Sequence, residues 1–102
     1  MSEASHVIRL RAAWRHDAAS GVAERRFHRP TGLEGGDRVW LVFDEPAPAG
    51  ATVALNGGAL ALDASRADIT EQLEASNELR VDASGDVGLW VASAQLEIVT
   101  VA

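Results

Sequence analysis

Apolar residues in this 102-residue chain recur at every second position over most of its length. That period belongs to strands half-covered by a core, whereas a helix repeats its apolar stripe about every 3.6 residues. Residues 6–14 place Ile8, Leu10, Ala12 and Trp14 on one face and Val7, Arg9 and Arg11 on the other. Residues 22–29 form a more polar strand that Pro30 ends, because proline has no N–H to give a ladder; its polarity predicts an edge position. Residues 37–44 carry Val39, Leu41 and Phe43 on one side and Trp40 and Val42 on the other, the mark of a central strand. Residues 52–55 lead into Asn56-Gly57, a pair that accepts the positive φ angles of a tight hairpin, and residues 59–62 return antiparallel.

One segment departs from this rhythm. Asp68-Ile69-Thr70-Glu71-Gln72-Leu73 has capping-box spacing, with Asp68 able to cap and Glu71 three residues on, so a helical turn is expected there. Alternation then resumes at Leu79, Val81 and Ala83, Ser84-Gly85-Asp86 reads as a turn, and residues 94–101 form a last strand with Leu96 and Ile98 on one face and Val99 and Val101 on the other. About seven short strands with turn signals every 8–12 residues or so predict an all-β, antiparallel β-sandwich or small barrel with one short helical turn. No repeat or linker divides residues 1–102, which are expected to form one domain. The core is light in aromatic rings, so Trp14, Phe27, Trp40, Phe43 and Trp90 are expected to dominate its packing.

Charge and composition narrow the function. Nine arginines, no lysine and 15 acids leave a net charge of −6, which argues against a nucleic-acid backbone as partner. Residues 1–44 are nearly balanced, with 7 arginines and 6 acids, while residues 45–102 hold 2 arginines and 9 acids. Without cysteine there is no disulfide, thiolate metal site or cysteine nucleophile. No run approaches the roughly 18 apolar residues that span a bilayer, and no basic, apolar leader opens the sequence, so no membrane association and a cytoplasmic location are expected.

Five segments, in order, carry a family resemblance. Arg26-Phe27-His28-Arg29-Pro30, then Asp37-Arg38-Val39-Trp40-Leu41-Val42-Phe43, then Ala51-Thr52-Val53-Ala54-Leu55-Asn56-Gly57, then Asp68-Ile69-Thr70-Glu71-Gln72-Leu73 and Asn77-Glu78-Leu79-Arg80-Val81 resemble the sugar-binding, jelly-roll domain of glycoside hydrolase family 2 and, more broadly, galactose-binding-domain-like sandwiches. The resemblance spans about residues 22–83. It implies a jelly roll, and a non-catalytic module that binds carbohydrate or serves as accessory to a hydrolase whose catalytic acids lie in another domain. It carries over Asn56 as a turn residue first and a sugar contact second. The chain departs from the pattern at Asp63-Ala64-Ser65-Arg66-Ala67, where an aromatic-containing loop is more usual.

Candidate sites are sparse. His6, His16 and His28 have no metal-ligand spacing, no G-x-S-x-G elbow is present, and Gly32, Gly35 and Gly36 lack the lysine and helix of a phosphate loop. No enzyme is expected, and no cofactor beyond a structural calcium drawn from Asp44, Glu45, Asp63, Asp68 and Glu97. The remaining candidate is the outward face bearing Trp40 and Val42 beside Val99 and Val101, with Arg9, Arg11 and Arg80 at its margin. An indole stacks on the C–H face of a pyranose while arginines bond its hydroxyls. Three readings of that face stay open: a carbohydrate platform, a protein or homodimer interface, and cover by the sandwich itself or a flap at residues 86–92.

Overall fold

The alternation read from sequence is met by two antiparallel sheets packed face to face. A computed structural model describes residues 4–17, 19–83 and 88–100. In chain order the strands are β1 (Ala4–Arg9), β2 (Arg15–Asp17), β3 (Val22–His28), β4 (Asp37–Val42), β5 (Thr52–Leu55), β6 (Gly58–Leu60) and β7 (Arg66–Asp68). A 3₁₀ turn at Thr70–Gln72 leads to β8 (Ser76–Asp82), a short helix α1 (Gly88–Ala92) and β9 (Gln95–Thr100). The first sheet runs β1-β9-β4-β7 and the second β2-β3-β8-β5-β6, so the chain forms an antiparallel β-sandwich.

Alternation decides what lies between the sheets. From the first sheet, Val39, Leu41 and Leu96 point inward and are almost fully buried; from the second, Leu55, Leu79 and Val81 meet them. Each of these side chains removes roughly 1.5–3 kcal/mol worth of apolar surface from water. The expected central place of residues 37–44 holds, since β4 pairs with β9 on one side and β7 on the other.

Residues 22–29 are not an edge. β3 pairs with β8 along its whole length, and β2 adds three residues to its other side. The polarity that pointed to an edge has another origin. Arg25 occupies an inward position opposite Leu79, and its Nε reaches out to donate to the Ala12 carbonyl, 2.7 Å away. That bond pins the connection by which the chain leaves the first sheet and enters the second. Ala13 in that connection has φ 67°, so residues 6–14 are not one strand: β1 stops at Arg9 and the chain bends before β2. Trp14 is only half-buried and donates its indole N–H to the Leu10 carbonyl.

Three aromatic rings enter the core as expected: Phe27, Phe43 and Trp90. Phe43 and Trp90 stack with centroids 3.9 Å apart, and Trp90 donates its indole N–H to the Glu45 carbonyl at 2.8 Å. Trp90 belongs to α1, a helix the sequence reading does not contain. Trp40 faces the other way, onto the outside of the first sheet, and is half-buried there. The Ser84-Gly85-Asp86 turn and Val101 lie outside the described residues.

The Asn56-Gly57 hairpin is present, with φ 52° and 84°, and joins β5 to β6. The helical turn is also present, although its capping differs from expectation. Asp68 ends β7, and its Oδ1 accepts from the Thr70 N–H at 3.0 Å and the Thr70 hydroxyl at 2.6 Å, while Glu71 turns away to pair with Arg38.

Candidate functional site

The outer face of the first sheet is built by strand register. Directly paired residues share a face, so Val7, Glu97, Trp40 and Asp68 form one outward row across β1, β9, β4 and β7. The neighbouring row is Arg9, Gln95, Val42 and Arg66. An arginine therefore stands at each edge of the second row, with the Gln95 amide and Val42 between them, while the first row carries the Trp40 indole and the Glu97 and Asp68 carboxylates.

The two edges differ in how those arginines are used. Arg66 lies over the Trp40 ring, its guanidinium carbon 4.1 Å from the centroid, a contact worth about 0.5–1 kcal/mol at an exposed site. The Arg66 guanidinium thus lies on the Trp40 ring. At the start of β4, Arg38 is held by Asp68 at 2.8 Å and by Glu71 at 2.9 Å. Burial alone would raise the Asp68 pKa, but the Thr70 hydroxyl, the Thr70 N–H and Arg38 together hold it below its ordinary value. The bonds to Glu71 and then Asp68 raise the Arg38 pKa further.

At the other edge, Arg9 and Arg11 have no ion pair among the described residues. They line a cavity of about 140 Å³ together with Asp44, Ala92, Ser93, Ala94 and Gln95. Backbone geometry sets their common direction: Leu10 between them is 1% exposed and donates its N–H to the Ala94 carbonyl at 2.9 Å, which turns both neighbours outward. Gln95 donates its amide to Glu97 at 2.7 Å. Ser93 receives the Asp44 N–H at 3.1 Å and donates to the Trp90 carbonyl at 2.6 Å, fixing the cavity wall to α1.

Of the five ligand-contact candidates, the structure brings together three. Trp40 and Arg9 share the outer face of the first sheet and Arg11 adjoins it. Arg80 does not belong to that margin. It lies on β8 opposite Glu24 and Ala54, on the outside of the second sheet, 3.9 Å from Asp82. Asn56 is also on the second sheet, and its amide is fully engaged: it accepts from the Glu78 N–H at 2.8 Å and donates to the Gln72 carbonyl at 3.1 Å and to Asn77 at 3.0 Å. The turn role expected first for Asn56 is the one its contacts describe.

Arg66, Gln95 and Glu97 complete the face, and of these only Glu97 figured in the sequence reading, as a calcium ligand. The signal for Gln95 was its place two residues before Glu97 on a strand that pairs with β4. Among the described residues no three His, Asp or Glu side chains gather to hold a metal, so the carboxylates considered for calcium are dispersed. No described helix is long and apolar enough to cross a membrane.

No family model matches the chain, and no curated protein matches its sequence. Among solved structures, the chain is similar to an FMN-binding β-glucuronidase from Facaelibacterium prausnitzii L2-6, with 21% identity and a TM-score of 0.63. The likeness covers 97% of this chain and 22% of that one, so the chain spans about a fifth of the length of the enzyme it matches. At this identity the likeness is one of fold, a β-sandwich of the kind found within that enzyme.

Proposed function

We propose that this chain is a non-catalytic binding module that recognises carbohydrate, as an accessory to a glycoside hydrolase, through the outer face of its first sheet. The carrying observation is the likeness of nearly the whole chain to one fifth of a β-glucuronidase, in agreement with the ordered motifs that resemble the jelly-roll, galactose-binding-like domain of glycoside hydrolase family 2. The face supports the reading chemically. Trp40 offers an aromatic plane once Arg66, which lies over the ring, swings aside; Arg9 stands at the opposite edge of the sheet, and Gln95 and Glu97 stand between as hydrogen-bonding partners for hydroxyls. The assigned roles are stacking for Trp40 and hydroxyl binding for the polar side chains.

A second reading rests on a separate observation. β1 has no strand on its outer side among the described residues, and Val7 on it is 41% exposed. That edge favours a protein-interaction or homodimer module that adds a strand to the first sheet. Calorimetric titration with a panel of mono- and oligosaccharides, with solution mass measured on the same samples, separates the two. Saturable heat from a monomer supports carbohydrate recognition; a concentration-dependent dimer without heat supports the interaction module and overturns the first reading.

A further inference from the structure

We infer that the cavity between Arg9 and Arg11 is a binding site for one oxyanion group of a small ligand, with a carboxylate as the favoured chemistry. The inference goes beyond carbohydrate recognition and does not require it, because it rests on charge and geometry at the rim of the sheet rather than on Trp40.

The chain carries 15 acids against nine arginines. The arginines at residues 15, 26, 38 and 80 have each found one within 4.0 Å. Of the others, Arg25 donates to the Ala12 and Arg26 carbonyls and Arg66 lies over the Trp40 ring. Arg9 and Arg11 have no ion pair among the described residues and, unlike the rest, line one cavity together, with Asp44 in the same wall. Leu10 between them is buried, and the arginines on either side of it both line the cavity. Each guanidinium presents a planar fork of donors that matches the two oxygens of a carboxylate or two oxygens of a phosphate.

The rest of the lining fits a small polar guest. Gln95 uses its N–H on Glu97, which leaves its carbonyl oxygen to accept from a hydroxyl beside the anionic group. The Ser93 hydroxyl already bonds on both sides and serves as fixed wall. Asp44 supplies one negative charge against two positive ones, so the cavity keeps a net positive charge that Asp44 weakens. The volume, about 140 Å³, admits an anionic group and part of the ring that carries it.

The test is amide and side-chain ¹⁵N NMR of the whole chain titrated with galacturonate, galactose and inorganic phosphate. The expected result is saturable shifts at Arg9, Arg11, Ser93 and Gln95 with galacturonate, and affinity for galactose at least about tenfold lower. The double variant Arg9→Gln/Arg11→Gln should lose those shifts while the Asn77 side-chain amide keeps its position as a marker of the fold. Asp44→Asn should bind roughly threefold or more tightly, since it removes a like charge from the site. Added neutral salt should weaken binding to the unaltered protein, a readout that needs no variant. Phosphate binding more tightly than galacturonate at the same residues supports the oxyanion site and assigns its ligand to phosphate esters. Equal shifts with galactose, shifts that survive the double variant, or none with either anion overturn the inference. Galactose shifts at Trp40 and its neighbours with no anion shifts at Arg9 and Arg11 would overturn it while leaving carbohydrate recognition standing; phosphate shifts at Arg9 and Arg11 with no galactose shifts anywhere would do the reverse.

Discussion

The Asn56–Asn77 pair and the Arg9–Arg11 cavity are both polar constructions, and they differ in how completely their donors are met. Asn77 is 1% exposed, donates to the Phe27 and Glu74 carbonyls and accepts from the Glu74 N–H and from Asn56. Among the described residues no buried side-chain nitrogen or oxygen is left unpartnered. The arginine pair shares its cavity with one carboxylate, Asp44, but forms no ion pair among the described residues. Closure of hydrogen bonds marks the first region as structural, whereas at the second the unmet donors mark a surface available to a ligand.

The largest effect that would break this contrast is at Asn77. Asn77→Ala strands the Phe27 carbonyl and both Glu74 backbone groups, and should lower stability by about 3 kcal/mol in urea unfolding. A loss below about 1 kcal/mol would show that water replaces the amide and that the region is less sealed than its bonds imply. Next is Asn56→Gly, which keeps the positive φ but removes three side-chain bonds, with an expected loss of about 1–2 kcal/mol. Retention of full stability there would return the Asn56 amide to the list of ligand contacts.

Asp68 sharpens the contrast by pH. Its folded pKa is held below the ordinary value, so its contribution is present above about pH 4 and is lost as pH falls through the folded pKa. Asp68→Asn should cost about 1 kcal/mol near neutral pH, and the two unfolding curves should converge on acidification. A gap that stays constant with pH would mean that packing, not charge, holds the Arg38 cluster. The smallest effect is expected at the open region: Arg9→Gln/Arg11→Gln should change stability by no more than about 0.5 kcal/mol. A larger loss would make those arginines structural.

Much of the fold was legible because its signals are local. The Asn56-Gly57 dipeptide carries its own turn, and the alternation at Val39, Leu41 and Phe43 and at Leu79, Val81 and Ala83 states which side chains go inward. What was not legible depends on partners far along the chain. β2 and β7 have three residues each and exist through pairing with β3 and β4. The bend at Ala13 requires a left-handed conformation that alanine does not announce. Helix α1 is a single turn and a half, fixed by Trp90 stacking on Phe43 rather than by any apolar stripe of its own.

The same limit governs the site. Alternation says whether a side chain points in or out but not on which sheet, and so it grouped Arg80 with Trp40 although they face opposite sides of the sandwich. Arg9 lies on the Trp40 face because β1 pairs with β9, and Arg11, beyond the end of β1, adjoins it. Arg66 was hidden because its loop-like context gave no hint of the short strand that carries it.

Carbohydrate recognition through Trp40 is the central claim, and intrinsic fluorescence tests it most directly. Titration of the unaltered protein and of Trp40→Ala with the same neutral and acidic sugars isolates the outward indole from Trp14 and Trp90. The account predicts a saturable change in the unaltered protein that disappears in a still-folded Trp40→Ala. An identical response in both proteins, or none in either, would contradict it.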